Sequence, residues 1–163
     1  MAYIFDLEKD FDDEPYVAAD GSRIIDFALG YDPDSSLIVL MSVMLIPDES
    51  GAYELCFGIR TRSGVDASNV SSFDYSSATG KRYVPTESAQ DVLDVVLAAT
   101  VSLIGKVKPE NVIMETFHSH LPPKAMRKYE SIEEILANLS YTLTEHFRDE
   151  ADGKDYWSFS RGD

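Results

Sequence analysis

Residues 37–60 read LIVLMSVMLIPDESGAYELCFGIR, and the fold turns on this stretch. Leu37 to Ile46 is an apolar run with β-branched residues that stops at Pro47. Asp48-Glu49-Ser50-Gly51 is a turn cluster, and Tyr53 to Arg60 resumes an apolar run. Two runs of strand length joined by so short a turn predict an antiparallel hairpin. Just upstream, Arg23 to Leu29 predicts a further short strand.

Downstream the period changes. Val92, Val95, Val96, Ala99, Leu103 and Ile104 recur at helical spacing, and Leu93 and Leu97 widen the stripe. Asp91, Asp94 and Ser102 leave only a narrow polar face, so the helix is expected to lie buried across a sheet. Pro85-Thr86-Glu87-Ser88 starts it, and Gly105 with Pro109 ends it. Asn111 to Phe117 reads as a strand, broken by Leu121-Pro122-Pro123. A helical region follows over 123–139. As one helix it would place Lys124, Arg127 and Lys128 near the positive N-terminal end, which disfavours each charge by roughly 0.3–1 kcal/mol. Ser131-Ile132-Glu133-Glu134 is a capping-box pattern, and a break there removes the conflict. The two-helix reading is therefore preferred. Thr142 to Phe147 and Tyr156 to Ser160 form a last hairpin around the acidic loop Asp149 to Asp155, with Asp152-Gly153 at the turn. Trp157 and Phe159 share one strand face and read as core.

The expected class is α+β: a mostly antiparallel sheet with one long buried helix and one or two shorter helices packed on one face. Residues 1–163 read as a single domain. Residues 1–20 are expected to form a mobile acidic segment, and the Ser- and Gly-rich residues 62–85 a long loop.

With 163 residues, 44% hydrophobic and 26% charged, the chain is excluded from the disordered and low-complexity classes. A formal net charge of −15 argues against direct binding to nucleic acid or to an anionic membrane. Cys56 is the only cysteine, which excludes an intrachain disulfide, and its apolar surroundings read as those of an inert buried thiol. The opening residues lack the basic and apolar regions of a signal peptide, and 37–46 is too short to span a bilayer. A cytoplasmic protein without a cofactor is expected. Charge is unevenly placed: residues 1–20 carry seven acids and one base, residues 130–152 the same, and residues 106–128 five bases and two acids.

Three groups carry candidate chemistry. The first is Glu115-Thr116-Phe117-His118-Ser119-His120. On a strand, residues two apart share a face, which suits His118 and His120 as paired metal ligands. The His-Ser-His resembles that of the JAMM (MPN-plus) metalloproteases. That resemblance implies a zinc hydrolase with His118 and His120 as ligands and Glu54, by position on a strand, as general base. The chain departs from the family pattern. The downstream Ser-x-x-Asp becomes Ser131-x-x-Glu134, displaced by three residues, and the proline after the second histidine is moved to Pro122 by Leu121. His146 is an alternative third ligand if its strand lies beside 111–118.

The second group is Lys124, Arg127 and Lys128, a basic island fit for an anion or an acidic peptide at a helix start. The third is the acid-rich opening, Asp6, Glu8, Asp10, Asp12, Asp13 and Glu14, with Asp149, Glu150 and Asp152 near the other end. In an extended segment alternate carboxylates repeat at roughly 6.6 Å. Rows of this kind imitate nucleic-acid phosphates and capture Lys and Arg clusters. No Gly-rich phosphate loop or Gly-x-Ser-x-Gly elbow is present. The leading expectation is therefore a non-enzymatic acidic interaction protein, an inhibitor or adaptor of phage or mobile-element type. Its partner would be a nucleic-acid-binding protein with a basic surface. The metal-dependent hydrolase and the anion-binding module are the alternatives.

Overall fold

A computed structural model describes residues 3–63, 70–74, 77–117 and 123–162. Their elements follow the order β1 (Ile4–Phe5), β2 (Tyr16–Val17), β3 (Arg23–Asp32), β4 (Leu37–Pro47), β5 (Tyr53–Ser63), β6 (Val70–Asp74), α1 (Ser77–Tyr83), a 3-10 turn (Thr86–Ser88), α2 (Ala89–Val107), β7 (Asn111–Phe117), α3 (Pro123–Asn138), β8 (Tyr141–Asp149) and β9 (Lys154–Arg161). The strands form one nine-stranded sheet in the order β1-β3-β4-β5-β7-β9-β8, with β2 also on β3 and β6 also on β5. All neighbours are antiparallel except β5 and β7. The class is α+β, as the hydrophobic pattern predicts.

The central hairpin forms because its turn is chemically specified. Asp48 Oδ1 accepts hydrogen bonds from the Ser50 and Ala52 amides at 2.9 and 3.0 Å, and Gly51 takes φ +86°. Alternate residues then face opposite sides of the sheet. Val39, Val43 and Leu45 on β4, with Ile25, Phe27 and Leu29 on β3, join Leu55 and Ile59 in the main core. Onto this face α2 lays Val92, Val95, Val96, Ala99, Leu103 and Ile104. From Thr86 to Val107 the helical stretch is long and apolar enough to cross a membrane, a length the apolar run 37–46 does not reach; its stripe is buried against β3 and β4 instead. Lys108, at φ +51°, closes the helix through its amide to the Ile104 carbonyl at 2.9 Å. Trp157 and Phe159 of β9 and Ile132 and Leu136 of α3 complete the same cluster.

Three local expectations change. The described residues of 62–85 are not a bare loop: β5 runs on to Ser63, and β6 and α1 follow, while 64–69 and 75–76 lie outside the described residues. The acidic opening is tied to the sheet: β1 and β2 pair with β3, and Leu7 and Phe11 pack against the core. The third is α3, which is one helix without a break at Ser131. The Ser131 hydroxyl donates to the Arg127 carbonyl at 3.0 Å, one turn back, instead of capping a new helix. The basic residues therefore do lie in the N-terminal half of a helix, and α3 has no acid in its first turn.

The opposite face of the sheet carries a polar cluster. Asp26 receives hydrogen bonds from Ser42, Tyr16 and Arg60, and Arg60 also donates to Tyr16. Asp26 and Arg60 are 18% and 10% exposed at their side chains, so the pair is largely withdrawn from water. Through Tyr16 it fastens β2 to the sheet. Truncating one partner of such a pair strands the other charge, so Asp26→Ala is expected to cost about 3 kcal/mol in denaturant unfolding. Burial and the Asp26 carboxylate push the Tyr16 phenol up to about 12, and burial does the same to Tyr3. A phenol whose folded value lies above its unfolded one favours the fold fully below pH 10. Stability is therefore expected to fall from pH 10 to 12, and the decline to be smaller in Tyr16→Phe.

Candidate functional site

Parallel strands β5 and β7 are registered at only two positions, Tyr53 with Val112 and Glu54 with Ile113. Beyond these the strands diverge. The same edge of β5 next finds a partner in β6, from Ile59 onward. Between those points, Leu55 to Gly58 has no strand partner on this edge among the described residues. A wedge-shaped cleft of about 440 Å³ opens there, with Glu54, Cys56 and Phe57 on one wall, Glu115 and Thr116 on the other, and Lys128 and Tyr129 from α3 above. A second cavity of about 440 Å³ lies between this region and α2, lined by Met41, Val84, Val92 and Val96. Phe57 and Lys128 line both, so the two spaces meet at these side chains. Both volumes fall in the range of ordinary ligand pockets, and the crevice at the carboxyl ends of parallel strands is a usual place for one.

The groups around the cleft differ sharply in character. Cys56 lies beside Glu54 and Glu115; burial and the Glu54 carboxylate push its thiol up to about 12. It is held as a neutral thiol, not as a nucleophile. Glu115 pairs with Lys154 at 3.2 Å. Tyr129 stacks flat on the core Trp157, ring centroids 5.2 Å apart. Burial raises its phenol, against a hydrogen bond with Thr116 that lowers it. Lys128 makes no ion pair within 4 Å among the described residues; its Nζ sits 5.1 Å from the centre of the Phe57 ring and 4.8 Å from that of Tyr129. Ring faces offer a cation about 0.5–2 kcal/mol, whereas withdrawing it from water costs several. Burial wins, and the Lys128 amine is pushed down from the ordinary lysine value.

The predicted groups fare unevenly. His118 and His120 lie outside the described residues. Among the described residues no group of three or more His, Cys, Asp or Glu is placed to hold a metal. His146 cannot join β7 as proposed, because β9 lies between β7 and β8; its ring stacks on Trp157 at 4.7 Å. Glu54 does stand in the cleft. The basic island is divided. Arg127 is exposed, Lys128 turns into the cleft, and the Lys124 side chain lies outside the described set. Divergence of β5 and β7 is the feature sequence reasoning missed. No local pattern encodes it, although the apolar helix between two strands hinted at a parallel crossover.

The carboxylates do not form one surface. Asp6 and Glu8 line a separate open cleft of about 710 Å³ with Tyr31 and Asp32. Asp10 is exposed, Asp12 accepts from the Glu14 amide at 3.0 Å, and Asp13 and Glu14 pair with Lys106 at 3.1 and 3.0 Å. Asp149, near Glu150 and Asp152, accepts the Ala151 and Asp152 amides in its turn. The opening segment lies on β3 at one side of the sheet and the 149–152 turn on the β8–β9 hairpin at the other. Six inter-strand steps separate β1 from β8, on the order of 29 Å.

No protein-family profile matches the chain, and no characterised protein matches it by sequence. Two solved structures are similar, both of the spermidine N-acetyltransferase SpeG of Vibrio cholerae. One, a chimera with hSSAT, shares 13% identity over 85% of this chain and 66% of its own, with a TM-score of 0.37. The other, a point mutant, shares 12% over 85% and 64%, with a TM-score of 0.36. The chain thus spans slightly under two thirds of those structures. Both are named as acetyltransferases. The expectation of a non-enzymatic acidic inhibitor or adaptor of phage type is corrected on the chain's own geometry, because the carboxylates it relies on are divided between two sides of the sheet.

An ionisable group held against its solvation preference lowers stability where it sits. Lys128→Met keeps the length of the side chain and removes the charge. It is expected to raise unfolding stability by about 1 kcal/mol in denaturant titration, opposite in sign to most substitutions at a packed position.

Proposed function

We propose that the chain is an enzyme acting on an amide-bearing ligand laid as an extra strand between β5 and β7. The observation that carries this reading is the pairing of the two strands at Tyr53–Val112 and Glu54–Ile113 only. Past these pairs, each strand turns a row of backbone donors and acceptors toward a cleft too wide for direct pairing. Backbone groups in a confined space require partners. An extended ligand with its own amides supplies them, as in recognition by strand addition.

The side chains add a preference. Glu54 and Glu115 place carboxylates in the cleft, and the whole chain carries −15. A cationic second reactant, such as an amine, is drawn to such a site, and an anionic one is repelled. Making or breaking an amide beside an amine is the chemistry that suits both halves. Spermidine with an acetyl donor is the first pair to assay, since that is the activity named for the two similar structures.

The binding step is tested by hydrogen exchange on the full chain with a panel of short extended peptides and N-acetylspermidine. The expected outcome is slowed exchange in residues 55–58 and 114–117 with at least one panel member, and loss of that protection in Thr116→Trp, which fills the cleft. Binding without protection there, or no binding by any member, would overturn the reading.

A further inference from the structure

We propose that Lys128 is a nucleophilic amine that captures an uncharged aldehyde or ketone as a Schiff base at the junction of the two cavities. This goes beyond the strand-addition reading and does not rest on it: it needs the cavities and the amine, not an amide ligand.

Lys128 is placed for the task by three features. It lines both cavities, so its amine meets whatever passes between them. Its Nζ rests against the Phe57 and Tyr129 rings, which shield it from water on two sides. Among the described residues no carboxylate lies within ion-pair distance to hold it protonated. Burial accordingly favours the neutral form, which is the form that attacks carbonyls. Surface lysines such as Lys9 and Lys108 are exposed and lack this enclosure. The titratable groups facing the two cavities are Glu54, Cys56, Glu115, Tyr129 and, on α1, Lys81.

The class of ligand follows from charge. A lone amine can also bind an anion, but Glu54 and Glu115 share the first cavity and the chain carries −15. An anion would meet repulsion from both, while a neutral carbonyl compound meets none. The apolar lining of the second cavity, from Met41, Val92 and Val96, suits an alkyl or aryl substituent.

The step balances without an oxidant or reductant. The Nζ lone pair forms a C–N bond to the carbonyl carbon, and the C=O π pair moves to oxygen, which takes a proton from the nitrogen. The carbinolamine then loses its hydroxyl with the second nitrogen proton as water, leaving C=N. One amine and one carbonyl give one imine and one water.

The test is reductive trapping of the full chain with butanal and cyanoborohydride near pH 7, followed by peptide mass mapping. Lys128 is expected to be alkylated on the order of tenfold faster than Lys9 or Lys108, as a buried low-basicity lysine is. The preference should vanish in urea, and Lys128→Met should leave only the background of the terminal amine and exposed lysines. Lys128 reacting no faster than the exposed lysines, or a preference that survives in urea, overturns the proposal. Because butanal carries no amide, this outcome is independent of the exchange experiment on residues 55–58.

Discussion

The packing of α2 across β3 and β4 is the constraint on which the rest of the molecule depends. Its apolar stripe, from Val92 to Ile104, has no place to go except the face built by Phe27, Leu29, Val39 and Val43. Once it is laid there, the chain leaves β5 and returns as β7 running parallel to it. A parallel neighbour delivered by a helical crossover need not stay in register along its whole length. Here it holds for two residue pairs and then parts from β5. The cleft is thus a consequence of how the core is covered.

Around the cleft the physics is that of withheld water. Cys56 and Tyr129 retain protons and Lys128 is pressed to give one up, all from the same cause, the loss of solvation on burial. Single-helix α3 adds to this. Its N-terminal half carries the basic residues, and one of them, Lys128, is turned inward onto aromatic rings. A charge placed against solvation is a stability concession of the kind that marks a working site.

Most of the secondary structure could be read in advance because it rests on local signals. The hairpin at 48–51 is written in Asp48 and Gly51, and both act as their chemistry predicts. The strand 111–117 and the final hairpin were equally legible. Two errors share a cause. Ser131 looked like a helix start and 62–85 looked like loop because Ser-rich sequences compete locally for backbone hydrogen bonds. In the fold, Ser131 spends its hydroxyl inside the helix, and β6 gains its order from the edge of β5. The separation of the acidic rows across the sheet could not be read from their positions in the chain.

What the sequence determined alone was the main strands β3, β4, β5, β7, β8 and β9, the helix α2 with its buried stripe, and the excess of negative charge. Those follow from periodicity, turn residues and counting, which act over a few neighbours. Tertiary structure decided that β5 and β7 would be parallel and would part after Glu54. It also decided that Lys128 would stand at the meeting of two cavities. Such placement depends on contacts between residues more than seventy positions apart, Phe57 and Lys128 among them. No local pattern carries that information, because which strand ends up beside which is set by the burial of the whole apolar surface at once.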